Sequence, residues 1–144
     1  MTLKFEEVYR EVTGAPDQAV ITVPDLATAV TLTAAVGGTW ANGYGPAAAT
    51  ILAAASNTTN KRVVAICPCA PSAADEFQIA LYEGSTLKAE IPYTVEVLTG
   101  SAPMIPLPKP VLIHLGNDIK ANVACKGAVQ RTIKVKLLCV EVPY

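Results

Sequence analysis

Two runs near the C-terminal end of the chain alternate apolar and polar residues, and that alternation limits the fold more than any other feature of the sequence. Asp118 to Lys126 alternates, and so does Arg131 to Val140. Side chains on a strand repeat with period two, so each run has one apolar and one polar face. Folding the runs about Gly127 to Gln130 places Cys125 opposite Arg131. Ile119, Ala121, Val123 and Cys125 then share a side with Ile133, Val135, Leu137 and Cys139. The other side carries Lys120, Asn122, Lys126, Thr132, Lys134 and Lys136, and in this register Lys120 lies opposite Lys136. A sheet with one apolar face needs a second layer against it. The pair is therefore expected to form one wall of a sandwich or barrel, with the earlier strands supplying the other.

Those earlier strands are legible in outline. Ala19 to Val23 and Thr28 to Val36 are rich in Val, Ile and Thr, and Pro24-Asp25 breaks them apart. Thr39 to Pro46 reads as an irregular loop whose Trp40 and Tyr44 anchor either the sheet or an interface. Pro46 to Ala55 fits a turn or two of helix, although Thr50-Ile51-Leu52 also fits a strand. Lys61 to Cys67 is a strand and Pro68 to Ala74 a loop. Glu76 to Glu83 places Phe77, Ile79 and Leu81 on one side and turns at Gly84-Ser85. Leu87 to Val97 returns as a strand whose Pro92 marks an edge or a bulge. Thr99 to Pro110 is expected to be a loop, because Pro103, Pro106, Pro108 and Pro110 cannot all donate to a ladder; Val111 to Ile113 follows as a short strand. Roughly eight strands without a convincing long helix argue for an all-β fold, a β-sandwich or jelly roll.

The chain divides into an N-terminal arm, residues 1–18, and a single sandwich domain, 19–144. Leu3, Phe5, Val8 and Val12 could line a short helix in the arm, but Gly14-Ala15-Pro16-Asp17 ends it, leaving a segment that packs on its own domain or extends from it. At 144 residues one core suffices, burying roughly 70% of the unfolded surface. Charged residues make up only 16%, against the roughly 25% usual for a soluble domain. So few charges suggest a surface covered by a partner. The early segment is acidic, with Glu6, Glu7, Glu11, Asp17 and Asp25 against Lys4 and Arg10. The segment from 109 onward is basic, with Lys109, Lys120, Lys126, Arg131, Lys134 and Lys136 against Asp118 and Glu141. An intersubunit contact between Glu6, Glu7 and Glu11 of one arm and the Lys120–Lys136 face of a neighbour is one expectation from this asymmetry.

Chemistry is harder to find. His114 is the single histidine and stands in an apolar run before a Gly-Asn turn, where a strand-end role fits better than that of a catalytic base. Glu83, Glu90 and Glu96 fit solvated strand faces, and no phosphate-binding glycine loop is present. Cys67-Pro68-Cys69 lacks the spacing of a zinc or redox motif. In the hairpin register Cys125 and Cys139 stand about 26 Å apart, at ~3.3 Å per residue, too far for a disulfide. The four cysteines are therefore read as buried free thiols. The lysine face could neutralise phosphates, but it lacks interleaved aromatics for base stacking. The mixed charges of Met1 to Arg10 do not form a signal peptide, and no apolar run is of membrane length. The expectation is a protein that is intracellular when made, with no enzymatic activity, no cofactor, no metal, no nucleic acid and no membrane partner.

From about Ala48 onward the chain resembles small structural proteins of tailed bacteriophage particles. The likeness rests on Ile51 to Asn57 before Lys61 to Val64, then on Pro106 to Val111, Gly116, Ile119 to Ala121 and Thr132 to Leu138, with Asn122 departing from the pattern. The resemblance implies a jelly-roll virion protein, most similar to a capsid cement (decoration) protein. Such a protein sits on the outer capsid surface as a homotrimer, bound to the major capsid protein and stabilising the shell. Interface residues expected by type and position are Leu3, Phe5, Glu6, Glu7, Tyr9, Trp40, Tyr44, Lys120, Lys134, Lys136 and Tyr144. The alternatives are a tail, neck or fibre adaptor and a carbohydrate-binding β-sandwich module.

Overall fold

A computed structural model describes residues 20–24, 29–35, 43–45, 47–98, 100 and 103–142. The expected arm and the residues Leu3, Phe5, Glu6, Glu7, Tyr9, Trp40 and Tyr144 lie outside the described residues. Among the described residues nine strands follow in order: β1 (Val20–Val23), β2 (Val30–Thr33), β3 (Ala49–Leu52), β4 (Asn60–Cys69), β5 (Asp75–Glu83), β6 (Thr86–Val95), β7 (Ile105–Ile113), β8 (Ile119–Cys125) and β9 (Thr132–Val142). One sheet has the order β1-β9-β4-β7, with β2 also paired to β9; the other has the order β3-β8-β5-β6. All pairs are antiparallel. They nest: β5 with β6, β4 with β7, β3 with β8, and β1 and β2 with β9. That nesting is the wrapping of a jelly roll. β1 and β2 share one strand position, since Val20–Val23 pair with residues 137–140 and Val30–Thr33 with residues 132–135. The expected all-β sandwich is therefore the fold.

The core follows from the alternation. Ile119, Ala121, Val123 and Cys125 of β8, and Ile133, Val135, Leu137 and Cys139 of β9, are all 0% exposed. Phe77, Ile79 and Leu81 of β5 join them, and the Phe77 ring stacks on Tyr93 at 6.5 Å. Each such aliphatic or aromatic side chain contributes about 1.5–3 kcal/mol on burial.

The pairing of the two alternating runs differs from the expectation. β8 and β9 do not form a hairpin; β8 lies between β3 and β5, and β9 lies between β4 and the β1/β2 edge of the other sheet. Residues 126–131 cross from sheet to sheet, so the two apolar faces meet across the core instead of lying side by side. Periodicity decides which face is buried, and turn geometry decides which strand lies alongside. Asp75 holds the crossing: both carboxylate oxygens accept from the Gly127 N–H at 3.0 Å, and Arg131 Nε lies 3.4 Å away.

The expected loop from Thr99 to Pro110 also contains a strand, β7, which carries Pro106, Pro108 and Pro110. Residues two apart on a strand turn their N–H positions to the same lateral side. β7 ends its sheet, and its pairing with β4 jumps from Val63↔Val111 to Ala65↔Pro106, so Pro108 and Pro110 fall in a stretch, residues 107–110, with no partner on β4; an edge tolerates such an interruption. Pro92 likewise sits on β6, the edge of the other sheet, as expected. Pro68, assigned to a loop from sequence, is inside β4; β7 pairs with β4 only as far as Ile66, so Pro68 has a ladder partner on one side alone. The ambiguous Ala-rich stretch divides into β3 and a single 3-10 turn, Ala54–Ser56. Gly84-Ser85 makes the β5–β6 turn, and Gly84 adopts φ +59°, a conformation a side chain disfavours.

Candidate interaction surface

One end of the sandwich is tied by a polar network. Glu83, at the end of β5, accepts from the His114 backbone N–H at 2.8 Å, His114 Nδ1 at 3.1 Å and Asn117 Nδ2 at 2.9 Å, with Lys88 Nζ at 3.2 Å. Burial works against the charge on this carboxylate, but these donors outweigh it and hold the pKa at about 2. Buried Asn57 donates to the carbonyls of His114 and Asn117 and accepts from Lys61 Nζ at 2.8 Å. Thr59 accepts from Lys61 and donates to Glu141. The turn at 114–117 is thus stapled to both sheets. A carboxylate orienting a histidine also occurs in catalytic triads. Here no described hydroxyl or thiol hydrogen-bonds the imidazole, and every donor to Glu83 serves the turn or the β6 start. Among the described residues, no three His, Cys, Asp or Glu side chains cluster as metal ligands.

The exposed apolar residues concentrate elsewhere. Leu87, Val97, Leu98, Met104, Leu112 and Leu115 are all at least 41% exposed, and all belong to β6, β7 or the segments adjoining them; among the described residues only Val129 lies apart. β6 and β7 are the edge strands on one side of the sandwich, joined by residues 96–104. Two grooves run along this side. One, of about 560 Å³, has Ile91, Leu107 and Val111 as its apolar floor and Lys88, Lys109 and His114 on its rim. The other, of about 430 Å³, is lined by Tyr93, Val95, Glu96, Val97, Leu98 and Pro103, among others. The prolines of β7 prevent an incoming strand from completing a ladder there. This side therefore offers side chains to a partner in place of a backbone edge.

The described residues expected at an interface are not brought together. Lys120 projects from the outer face of the β8 sheet, opposite Thr50 and Tyr82, with its Nζ 3.6 Å from Asp118. Lys134 and Lys136 project from the outer face of the β9 sheet, beside Cys69 and Cys67. Lys120 and Lys136 thus point away from opposite sides of the sandwich, and the like-charge pair expected between them does not exist. The composite lysine face proposed for a neighbour's arm is divided in two. Tyr44 is half-buried over the outer face of the β8 sheet, where its hydroxyl donates to Glu90 Oε1 at 2.7 Å. Burial, then the bond to Glu90, push its ionisation upward. Phe77 is in the core, with Tyr93 half-buried against it, so the described aromatics form no exposed platform for a sugar.

Two of the four expected buried thiols, Cys125 and Cys139, are buried, whereas Cys67 and Cys69 are half-buried; none of the four forms a disulfide. Their spacing in sequence could not separate the pairs, because Pro68 was read as the start of a loop. The β6–β7 side was also missed, although Leu112 gave a hint. It stands between Val111 and Ile113 in an apolar run, and the middle residue of three on a strand must point away from the core if its neighbours point in. No protein-family model matches the chain, and no curated protein is detectably similar to it.

Proposed function

We propose that the protein is a structural component of a virus particle, a cement (decoration) protein that binds the outside of the major capsid protein shell and stabilises it. One observation carries the reading: a jelly-roll sandwich in which, among the described residues, the exposed large apolar side chains other than Val129 belong to the edge strands β6 and β7 or the segments adjoining them. Jelly rolls recur in viral capsid and lectin domains. An apolar side with blunted edges suits permanent packing against another surface, since strand addition is blocked and side chains supply the contact. The resemblance of residues 48–138 to tailed-bacteriophage structural proteins points the same way, as does the charged share of 16%. Each copy adds interface area between shell subunits, and repetition around a shell multiplies a modest contact.

The test is a count of copies. In particles purified from the producing host, quantitative mass spectrometry should find this chain at a copy number comparable with that of the major capsid protein. Stripping it should lower the temperature at which the shells open. A handful of copies per particle would move the protein to the tail or neck as an adaptor, and absence from particles would refute the reading.

A further inference from the structure

We infer that the outer face of the β9 sheet is the seat of the chain's own N-terminal segment, residues 1–19, which packs across the second half of β9. That strand changes character along its length. Ile133, Val135, Leu137 and Cys139 face the core throughout, so the residues between them point outward. In the first half these are Lys134 and Lys136; in the second they are Leu138, Val140 and Val142. Leu137-Leu138-Cys139-Val140 is thus an unbroken apolar run, the pattern of a strand covered on both faces. Burial agrees with the pattern. Val140 is 0% exposed and Val142 4%, and Ala65, which pairs with Leu138 from β4, is 0% exposed. None of these three belongs to the core cluster between the sheets. Neighbours within a sheet flank a side chain without covering its tip, so burial to this degree requires a layer above. The described strands do not supply it, since β3, β5, β6 and β8 form the sheet that packs on the opposite face.

Connectivity identifies the occupant. β1 begins at Val20, and Val20 pairs with Val140 itself, so residues 1–19 leave the sheet beside the covered position. The other segments outside the described residues start elsewhere or are too short. Residues 36–42 follow β2, whose Thr33 pairs with Thr132, eight residues along β9 from Val140 and about 26 Å away at ~3.3 Å per residue. Only residues 143 and 144 follow β9, and the rest are short links or single residues between described neighbours. Residues 1–19 also have a face to match. Phe5, Val8, Tyr9 and Val12 recur at i, i+3, i+4 and i+7, one side of a helical segment that Gly14 ends. Eleven residues of helix, 3–13, measure about 16 Å at ~1.5 Å per residue and about 10 Å across. The outward row from Leu138 to Val142 is about 13 Å long at ~3.3 Å per residue, and β1, β9 and β4 span about 10 Å at ~4.8 Å between strands. One such segment covers the seat. Residues 14–19, at up to ~3.5 Å each, reach about 20 Å, enough to double back from Val20. A single copy of the chain closes off Val140, so the segment packs on its own domain and not on a neighbour.

The test is hydrogen–deuterium exchange of the full chain, read on the amides of residues 3–13. In the wild type these should exchange at least tenfold more slowly than in an unstructured peptide of the same sequence, and equally so across about a hundredfold dilution. Val8→Asp on the segment and Leu138→Lys on the seat should each bring them to within about threefold of the peptide rate. Glu7→Gln, on the side of the segment turned away from Phe5 and Val12, should change nothing. Leu138 is half-buried, and a lysine there can carry its head clear of the sheet, so this variant keeps its strands, which circular dichroism checks. Peptide-like exchange in the wild type would overturn the inference. Protection lost on dilution would do the same, because it marks a neighbour's segment. So would a folded Leu138→Lys variant with its amides still protected, because it places the segment on another surface.

Discussion

Glu83→Gln keeps the shape of the side chain at the tied end of the sandwich and removes its charge. The wild-type carboxylate titrates at about 2, against 4.5 when unperturbed. At ~1.36 kcal/mol per unit this corresponds to at most about 3 kcal/mol. The group stands at the rim of the sandwich, 9% exposed, and screening there reduces the figure to about 2 kcal/mol. The sign follows from the direction of the shift. A lowered carboxylate pKa adds stability that is complete above pH 4.5 and is lost as pH falls through about 2. Glu83→Gln should therefore cost about 2 kcal/mol at pH 7, a fall of roughly 6–10 °C in melting temperature. The difference between wild type and variant should shrink to less than half of that by pH 3. Urea unfolding followed by circular dichroism at pH 7, 5 and 3 measures it. A wild-type–variant gap that stays constant across this range would show that the charge does not stabilise the turn, and the argument from its donors would fail.

Other perturbations test other parts of the fold. Gly45 lies against the Thr33 carbonyl with no space for a Cβ, and its N–H donates to Val123 O; Gly45→Ala should cost about 2–4 kcal/mol in urea unfolding, in line with overpacking at a rigid backbone contact. Burial raises the Cys139 pKa to about 12 and also pushes Cys125 and Cys67 upward, but Cys125 and Cys139 are in addition closed off from solvent while Cys67 and Cys69 are half-buried. A thiol reagent at pH 8 should therefore modify Cys67 and Cys69 in the native protein and reach the other two only after denaturant is added. Replacing Pro106, Pro108 and Pro110 together by Thr restores donors along the β7 edge, and should speed aggregation in a turbidity assay by several-fold with under about 1 kcal/mol change in stability.

Local patterns in the sequence carried the burial of side chains, and long-range pairing escaped them. Every odd-numbered residue from Ile119 to Cys125 and from Ile133 to Cys139 was legible as core, because a single strand reveals its own period. Which strand lies beside it depends on whether residues 126–131 turn back or cross over, and that is decided by Asp75, which lies about fifty residues earlier and binds Gly127 and Arg131. Pro106, Pro108 and Pro110 misled for a related reason. Proline excludes a central strand, but at every second position it is compatible with an edge, and edge status is a property of the whole sheet. The candidate surface shares this dependence. Leu87, Leu112 and Leu115 fall on three different segments, and that they border the same side of the sandwich shows only after β6 and β7 are placed.

The central place of β9 has a consequence during synthesis. β1, β2 and β4 all take a neighbour from this strand, yet it is the last of the nine described strands to leave the ribosome. From the end of β4 to the start of β9 the ribosome adds residues 70–131, which takes roughly 3–12 s at 5–20 residues per second. During that interval the β5–β6 hairpin can close and β7 can join β4, while β1 and β2 have nothing to pair with. The nascent chain therefore carries the apolar faces of β1, β2 and β4 uncovered for seconds, in a topology rich in distant contacts that folds slowly in any case. The proline edge of β7 is already in place at that stage, so one side of the half-built sheet is closed to other nascent chains before the sandwich itself closes.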